Sequence, residues 1–248
     1  MTSDTSALPS IVLVHGAFAD ASGWTESIKL LQQKGYTTYA PPNPLRSLPG
    51  DAEYIRTFLS TIEGPIVIVG HSYGGAVITN AATDVENVVA LVYINGFALE
   101  EGEPVIAAIA LGGGHSALPQ HIVPRPYPGA PEGDADAYID PEFFAELFCA
   151  DLPEADAAAL SSTQRPAAVS TLGQPSGVPA WRTIPSWYLV SSDDRTIPAE
   201  AERVMAARAS ARTVEIESSH VAMISHPGAV AELIDDAAKD ALKVRLAG

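Results

Sequence analysis

The sequence predicts an α/β protein in which a mostly parallel, six-stranded sheet is covered by helices on both faces. Short runs of β-branched and other apolar residues alternate with longer helix-compatible segments through most of the chain. This alternation is typical of parallel strands joined by crossover helices. It is interrupted once, over residues 98–180, so we expect one α/β domain that carries a single large insertion.

Six segments are predicted as strands because each is a short, mostly apolar run next to turn-forming residues. They span residues 11–14, 37–40, 65–69, 88–94, 186–191 and 213–217. The helices predicted between and after them span residues 23–34, 52–62, 74–83, 199–207 and 228–246. The last of these begins behind Pro227, in agreement with the preference of proline for the first turn of a helix.

Residues 98–180 differ from the rest of the chain in being irregular and rich in glycine and proline. Glycines occupy positions 112–114, many prolines fall between 119 and 131, and short helices are predicted over 141–149 and 153–163. So long an irregular segment inside a compact domain is more often a functional lid than a plain loop. We therefore expect residues 1–97 and 181–248 to form the core and residues 98–180 to form a cap.

Composition and charge exclude several classes of partner. The formal net charge of −16 would repel nucleic acid and anionic membranes. The single cysteine, Cys149, permits no internal disulfide, and no segment approaches the roughly 18 apolar residues of a membrane span. Because no targeting signal is visible at the start, we expect a cytoplasmic protein that acts on a small molecule as a monomer or homodimer.

The most informative motif is Gly70-His71-Ser72-Tyr73-Gly74, which directly follows the apolar run 65–69. It places a serine on the sharp turn between a predicted strand and a predicted helix. Glycines on either side leave room for the two elements to cross closely. Because one class of esterases keeps its nucleophile in this position, we predict that Ser72 is a catalytic nucleophile.

A serine nucleophile requires a histidine that accepts its proton and a carboxylate that orients the histidine. Two adjacent aspartates, Asp193 and Asp194, follow the predicted strand 186–191, and His220 follows the strand 213–217. Both positions would lie at the carboxyl edge of the sheet, where α/β proteins build their sites. The pattern predicts a triad of Ser72, His220 and one of the two aspartates.

Hydrolysis by a serine also requires backbone amides that stabilise the negative oxygen of the tetrahedral intermediate. One amide should come from Tyr73 and the other from the loop after the first strand, where Gly16 permits a close approach. We predict Ala17 as this second donor, with Phe18 as the alternative. The remaining histidines show no metal-ligand spacing and no phosphate-binding glycine loop is present, so no metal or cofactor is expected.

Four stretches of the chain resemble the α/β-hydrolase superfamily, in particular small bacterial hydrolases and plant methylesterase-like enzymes. They are Leu-Val-His-Gly-Ala at 13–17, the serine motif at 70–74, Asp-Arg-Thr-Ile-Pro at 194–198 and Ser-His-Val-Ala-Met at 219–223. In that family, an aspartate followed after two residues by Ile or Val and then Pro marks the triad acid. The resemblance therefore implies Asp194 rather than Asp193, and it implies a helical cap.

The sequence as a whole predicts a serine hydrolase that cleaves a small, largely apolar carboxylic ester. Aromatic residues are predicted to form its pocket, namely Phe18, Trp24, Phe144, Phe148 and Trp181. Two alternatives are a lyase or carbon–carbon bond hydrolase that uses the same site, and a non-catalytic ligand-binding protein. The related hydroxynitrile lyases carry a lysine directly after the histidine, whereas this chain has Val221.

Overall fold

Strands and helices alternate strictly in the first half of the α/β core. The computed structural model describes residues 8–247, with side chains for residues 8–243. In chain order the elements are β1 (Ser10–Val14), α1 (Thr25–Gln33), β2 (Thr38–Tyr39), α2 (Leu48–Leu59), β3 (Ile66–His71), α3 (Tyr73–Ala81) and β4 (Val88–Ile94). Short 3-10 turns lie between some elements, including one at Ala21–Trp24 that leads into α1.

A long insertion follows β4 before the core resumes. The insertion contains α4 (Val105–Ala108), β5 (Ile122–Arg125), β6 (Asp136–Ile139), α5 (Pro141–Phe148), α6 (Glu154–Ser162) and β7 (Ala167–Ala168). The core then continues with β8 (Ser186–Ser191), α7 (Ala199–Arg208), β9 (Arg212–Ile216), α8 (Ala222–Ser225) and α9 (Pro227–Ala247). The two helices predicted inside the insertion are present as α5 and α6.

The main sheet has six parallel strands in the order β2-β1-β3-β4-β8-β9. Every residue of β3 and β8 is buried, which explains why these strands are continuous runs of mostly apolar residues. Helices cover the sheet, with α1 packed against α9 and α2 against α3. The predicted parallel sheet is confirmed, and both ends of each predicted strand lie within two residues of the observed ends.

The start of α2 differs from the prediction, which placed it at residue 52. The helix begins at Leu48 because the Ser47 hydroxyl accepts a hydrogen bond from the Gly50 amide at 3.2 Å, and Pro49 stands in the first turn. A serine cap followed by a first-turn proline is a strong signal for a helix start.

The strand order places a topological switch point between β1 and β3. From β1 the chain moves outward to β2 and then returns past β1 to form β3. At such a point the loops that follow the two strands diverge and leave a crevice at the carboxyl edge of the sheet. The loop after β1 and the turn after β3 therefore face the same crevice, and these are the segments that carry Ala17 and Ser72.

The insertion is not purely helical, as the predicted cap would be. It contains a three-stranded antiparallel sheet in the order β5-β6-β7, with Val123 opposite Tyr138. The proline-rich segment that the sequence predicts as irregular supplies β5, in which Pro124 is tolerated because β5 lies at the edge of this sheet. None of the helices within residues 8–247 combines the length and apolar character needed to cross a bilayer.

Candidate active site

Ser72 occupies a strained turn between β3 and α3. Its backbone has φ 54° and ψ −125°, a left-handed conformation that costs a non-glycine residue about 1–3 kcal/mol. The turn is held by close packing of α3 on β1, since a Cβ atom on Gly74 would lie 2.4 Å from the Val14 carbonyl oxygen. Hydrogen bonds add to this, because the Ser72 carbonyl accepts from the Phe97 amide at 3.1 Å. The side chain of Ser72 is thereby presented at the carboxyl edge of the sheet.

The loop after β1 passes directly against Ser72. A Cβ atom on Gly16 would lie only 2.6 Å from the Ser72 Cβ, so no larger residue fits there without a shift. The next two amides in this loop differ in their partners. The Phe18 amide donates to the Arg165 carbonyl at 2.8 Å, whereas the Ala17 amide has no acceptor within the described residues. Of the two predicted donors, Ala17 is therefore the one whose N–H is free.

His220 and Asp194 form a buried, directly hydrogen-bonded pair. The Nδ1 atom of His220 lies 2.6 Å from Oδ2 of Asp194, and both side chains are fully buried. The other carboxylate oxygen accepts the amides of Thr196 and Ile197 at 2.7 and 2.8 Å. Because Nδ1–H donates to a carboxylate, the neutral ring is left with Nε2 unprotonated, and this buried atom has no partner among the described side chains and backbone. His220 therefore has an unprotonated nitrogen available as a base.

His71 connects the serine turn to the loop of His220. Its Nε2–H donates to the His220 carbonyl at 2.8 Å, and the two ring centroids are 4.7 Å apart. Burial and the neighbouring His220 hold the pKa of His71 well below its ordinary value, so the ring is neutral and can donate from one nitrogen only. Since His71 precedes Ser72 in the chain, this bond brings the serine and histidine loops together. Sequence reasoning did not find this role.

Asp151, between α5 and α6 in the insertion, binds the residues just before His220. Its carboxylate accepts the Ser219 amide at 3.0 Å and the Ser218 hydroxyl at 3.2 Å, and it also accepts the Ser219 hydroxyl. Burial opposes ionisation here, but these hydrogen bonds hold the pKa of Asp151 below its ordinary value. The insertion is thus tied to the loop that carries the histidine.

A mostly apolar cavity opens beside Ser72 under the insertion. Besides Ser72 itself, its lining consists of Ala17, Phe18, Tyr73, Phe97, Val105, Ile106, Ile109, Leu118, Pro119, Ile122, Leu172 and Thr196. The Thr196 hydroxyl is already engaged, since it donates to the Leu147 carbonyl at 2.8 Å. No three His, Cys, Asp or Glu side chains within the described residues come together in a way that could hold a metal ion. The cavity therefore suits an apolar molecule whose reactive group reaches Ser72.

Of the five aromatic residues predicted to contact substrate, only Phe18 lines this cavity. Phe148 packs on the His220 ring, with centroids 5.1 Å apart, and Phe144 packs behind Phe148. Trp24 lies against His71 with centroids 6.3 Å apart. Trp181 is held away by its indole N–H, which donates to the Leu99 carbonyl at 2.9 Å. These four side chains therefore pack against His220, against His71 or in the core, and none of them lines the cavity.

The aliphatic residues of the insertion form most of the cavity wall, and sequence reasoning missed them. Val105 and Ile106 lie on α4, and Ile109 follows it directly. A signal was available, since residues 105–111 form an apolar run between Pro104 and the glycines at 112–114. Ile106 is 54% exposed although it lines the cavity, which places it at the mouth.

A match to a known protein family covers all the segments that surround Ser72. The sequence model of the alpha/beta hydrolase family matches residues 11–233, a range that includes Ser72, Asp194 and His220. The chain belongs to the alpha/beta hydrolase family. The family resemblance and the fold class predicted from the sequence are confirmed by this match.

Two curated relatives cover most of this alpha/beta hydrolase. Over an alignment of 261 positions it is 26% identical to the alpha/beta hydrolase nvfD of Aspergillus novofumigatus, covering 95% of this chain and 99% of that one. It is 24% identical over 243 residues to a pyrethroid hydrolase of Sphingobium wenxiniae, covering 91% and 86%. A solved methylesterase from Arabidopsis has the same fold, with a TM-score of 0.77, 18% identity, and coverage of 94% and 100%. The names of these relatives support an ester hydrolase at the level of the family.

Proposed function

We propose that this alpha/beta hydrolase is a serine hydrolase that cleaves small, largely apolar carboxylic esters through an acyl-enzyme intermediate. The observation that carries the proposal is the state of His220. Asp194 occupies its Nδ1–H, while the buried Nε2 is unpartnered within the described residues. The bond from His71 to the His220 carbonyl holds this histidine beside the turn of Ser72. A free imidazole nitrogen next to a serine on a strained turn is what activation of the hydroxyl requires.

In the proposed mechanism the Ser72 Oγ attacks the ester carbonyl carbon while its proton passes to Nε2 of His220. The Asp194 carboxylate stabilises the imidazolium that forms, and the amides of Ala17 and Tyr73 donate to the negative oxygen. Collapse of the intermediate breaks the bond to the alkoxy oxygen, which leaves as an alcohol with the proton from His220. Water then attacks the acyl group on Ser72 with His220 as base, and the carboxylic acid is released.

The lining of the cavity supports the substrate class. Aliphatic side chains such as Val105, Ile109 and Leu118 offer no hydrogen bonds, so recognition depends on apolar contact. A relative that is named a pyrethroid hydrolase is consistent with an ester that has apolar groups. We therefore propose neutral esters with an apolar acyl or alcohol portion as substrates.

The proposal is tested with a series of p-nitrophenyl esters from acetate to decanoate. We expect the wild-type protein to turn over at least part of the series, with a chain-length optimum set by the cavity. Ser72→Ala should lower kcat by about 10⁴- to 10⁶-fold because the nucleophile is lost. Ser162→Ala, which removes an exposed serine hydroxyl on α6, is the matched control and should behave as wild type.

Undiminished turnover by Ser72→Ala would rule the mechanism out. If the wild-type protein hydrolyses no ester in the series, the proposed activity fails. Product analysis on a cyanohydrin and a β-diketone would then test for lyase or carbon–carbon bond hydrolase activity. Tight ligand binding without turnover would indicate a receptor.

A further inference from the structure

A second carboxyl group lies directly behind the pair of Asp194 and His220. Glu202, on α7, is fully buried and takes part in no ion pair within the described residues. One of its oxygens accepts the Ser191 amide at 2.9 Å, and the other accepts the side-chain amide of Asn95 at 3.3 Å. The same Asn95 side-chain amide lies 3.5 Å from Oδ2 of Asp194, so the two carboxyl groups are neighbours that share one donor.

Among the described residues, neither arginine of α7 forms an ion pair with Glu202. Arg203, the next residue, is exposed and pairs with Glu215 at 2.6 Å. Arg208, one turn further along α7, donates to the Ala98 carbonyl at 2.7 Å and pairs with Glu103.

Tyr188 is a further titratable group near Glu202. Its hydroxyl donates to the Gly96 carbonyl at 2.5 Å, and burial raises the pKa of Tyr188 well above its ordinary value. Among the described residues, the carboxyl group that neighbours Glu202 is that of Asp194.

Two carboxyl groups in contact inside a protein do not both ionise, so this pair retains one proton. Asp194 accepts two backbone amides on one oxygen and the His220 ring on the other, so both of its oxygens act as acceptors. Burial, together with the negative charge of Asp194, raises the pKa of Glu202 well above its ordinary value. We therefore assign the shared proton to Glu202. Its O–H group can then donate a hydrogen bond to the carboxylate of Asp194.

We propose that Glu202 is a positioning residue whose neutral carboxyl group donates a hydrogen bond to Asp194 and so holds the carboxylate in the orientation that His220 requires. Asn95 assists, since its side-chain amide lies 3.5 Å from the same Asp194 oxygen that accepts the His220 ring. The role of Glu202 in turnover rests on the proposed serine hydrolase function. The protonated state of Glu202 does not, so the two can be tested separately.

The first test measures the stability of the folded protein against pH, with no substrate. Glutamate in the unfolded chain loses its proton near pH 4, whereas Glu202 retains it in the folded state. Above about pH 5, over the range in which the folded protein keeps the proton on Glu202, each rise of one pH unit should therefore lower the folding equilibrium constant of the wild type about tenfold relative to Glu202→Gln, which cannot ionise. Denaturant unfolding at each pH gives the constants. Glu200→Gln, an exposed change on the same helix, should retain the wild-type slope.

The second test measures kcat and KM with the best p-nitrophenyl ester. Glu202→Gln keeps a neutral donor and should retain kcat within about threefold, whereas Glu202→Ala removes the donor and should lower kcat about tenfold or more with KM unchanged. If the folding equilibrium constants of the wild type and of Glu202→Gln changed equally with pH, Glu202 would not carry the proton in the folded state. A wild-type kcat in Glu202→Ala, or an equal loss in both variants, would overturn the positioning role.

The tests remain decisive in two difficult cases. If Glu202→Ala does not fold, Glu202→Leu, which fills a similar volume without a donor, replaces it in the comparison of kcat with Glu202→Gln. If the wild type hydrolyses no ester, the proposed function fails, while the stability measurement still reports the proton on Glu202.

Discussion

At the scale of single residues, burial distinguishes two neighbouring aspartates that have the same chemistry. Asp194 is only 7% exposed, and its carboxylate accepts two backbone amides as well as the His220 ring. Asp193 is exposed, and its amide is tied to the Ser218 carbonyl at 3.2 Å. Only the buried, fully hydrogen-bonded carboxylate can hold the imidazole in one tautomer and stabilise its cation.

We therefore predict that Asp194→Asn lowers kcat by about 10⁴-fold, because the amide no longer favours Nδ1–H and no longer stabilises the imidazolium. The adjacent Asp193→Asn is the control and should leave kcat within twofold of the wild type, since its side chain faces solvent. Steady-state kinetics on a p-nitrophenyl ester, with circular dichroism to verify folding, checks both. A larger loss in Asp193→Asn than in Asp194→Asn would reverse the assignment of the acid.

At the scale of elements, the insertion is connected to both loops that carry reacting groups. The Arg165 carbonyl accepts the Phe18 amide in the loop after β1, and Asp151 accepts the hydrogen bonds of Ser218 and Ser219 before His220. The position of the insertion and the orientation of these loops are therefore mechanically linked. The insertion both covers the cavity and helps to hold the histidine.

The contribution of Asp151 to stability can be measured by removing its side chain. Asp151→Ala should lower the free energy of unfolding at pH 7 by about 1–2 kcal/mol, because the Ser219 amide loses a charged acceptor. Hydrogen bonds lower the pKa of Asp151, so its contribution is present above its ordinary pKa and is lost as the pH falls below about 4. The free energies of unfolding of the wild type and of Asp151→Ala should therefore become equal in acid. Asp156→Ala, an exposed change on α6, is the control, and an equal loss there would contradict the role of Asp151.

At the scale of the whole molecule, Asp235 joins the C-terminal helix to the first helix. Its carboxylate accepts the Tyr36 hydroxyl at 2.6 Å and the ammonium groups of Lys34 and Lys239, each at 2.8 Å. Lys34 and Tyr36 follow α1, while Asp235 lies on α9, which packs against α1, β3, β4 and β8. Although burial opposes ionisation, the hydrogen bonds from these partners hold the pKa of Asp235 at about 2.

This contact predicts how the stability of the whole protein responds to acid. A carboxylate with a lowered pKa stabilises the folded state above its ordinary pKa, and the contribution is lost as the pH falls through the folded-state pKa of about 2. Asp235→Asn should therefore cost about 1–2 kcal/mol at pH 7 and almost nothing at about pH 1, a magnitude reduced by the exposure of both lysines. Denaturant unfolding across pH measures it. The exposed neighbour Asp236→Asn should match the wild type throughout, and a similar cost there would refute the contact.

Features that arise from local chemistry were predictable from the sequence alone. The strands β4 and β8 were predicted with their observed bounds because runs of buried residues between turns have few other conformations. The turn of Ser72 was predicted because a serine between glycines after such a strand leaves few alternatives. The strand-end positions of Asp193, Asp194 and His220 were predicted in the same way, and the resemblance to the α/β-hydrolase superfamily then favoured Asp194 over Asp193.

Contacts between groups that are far apart in the chain depend on how the whole molecule folds. His71 and the His220 carbonyl are 149 positions apart, and the Ser219 amide and Asp151 are 68 apart. The aliphatic wall of the cavity likewise depends on how the insertion folds over Ser72. Hydrogen-bond partners so far apart in the chain show no local pattern, because their bonding depends on the groups that folding brings into contact. The apolar run 105–111 was visible in the sequence, but its place in the cavity wall was not. The positions of the proposed reacting groups were therefore predictable from sequence, whereas the contacts that hold and enclose them were not.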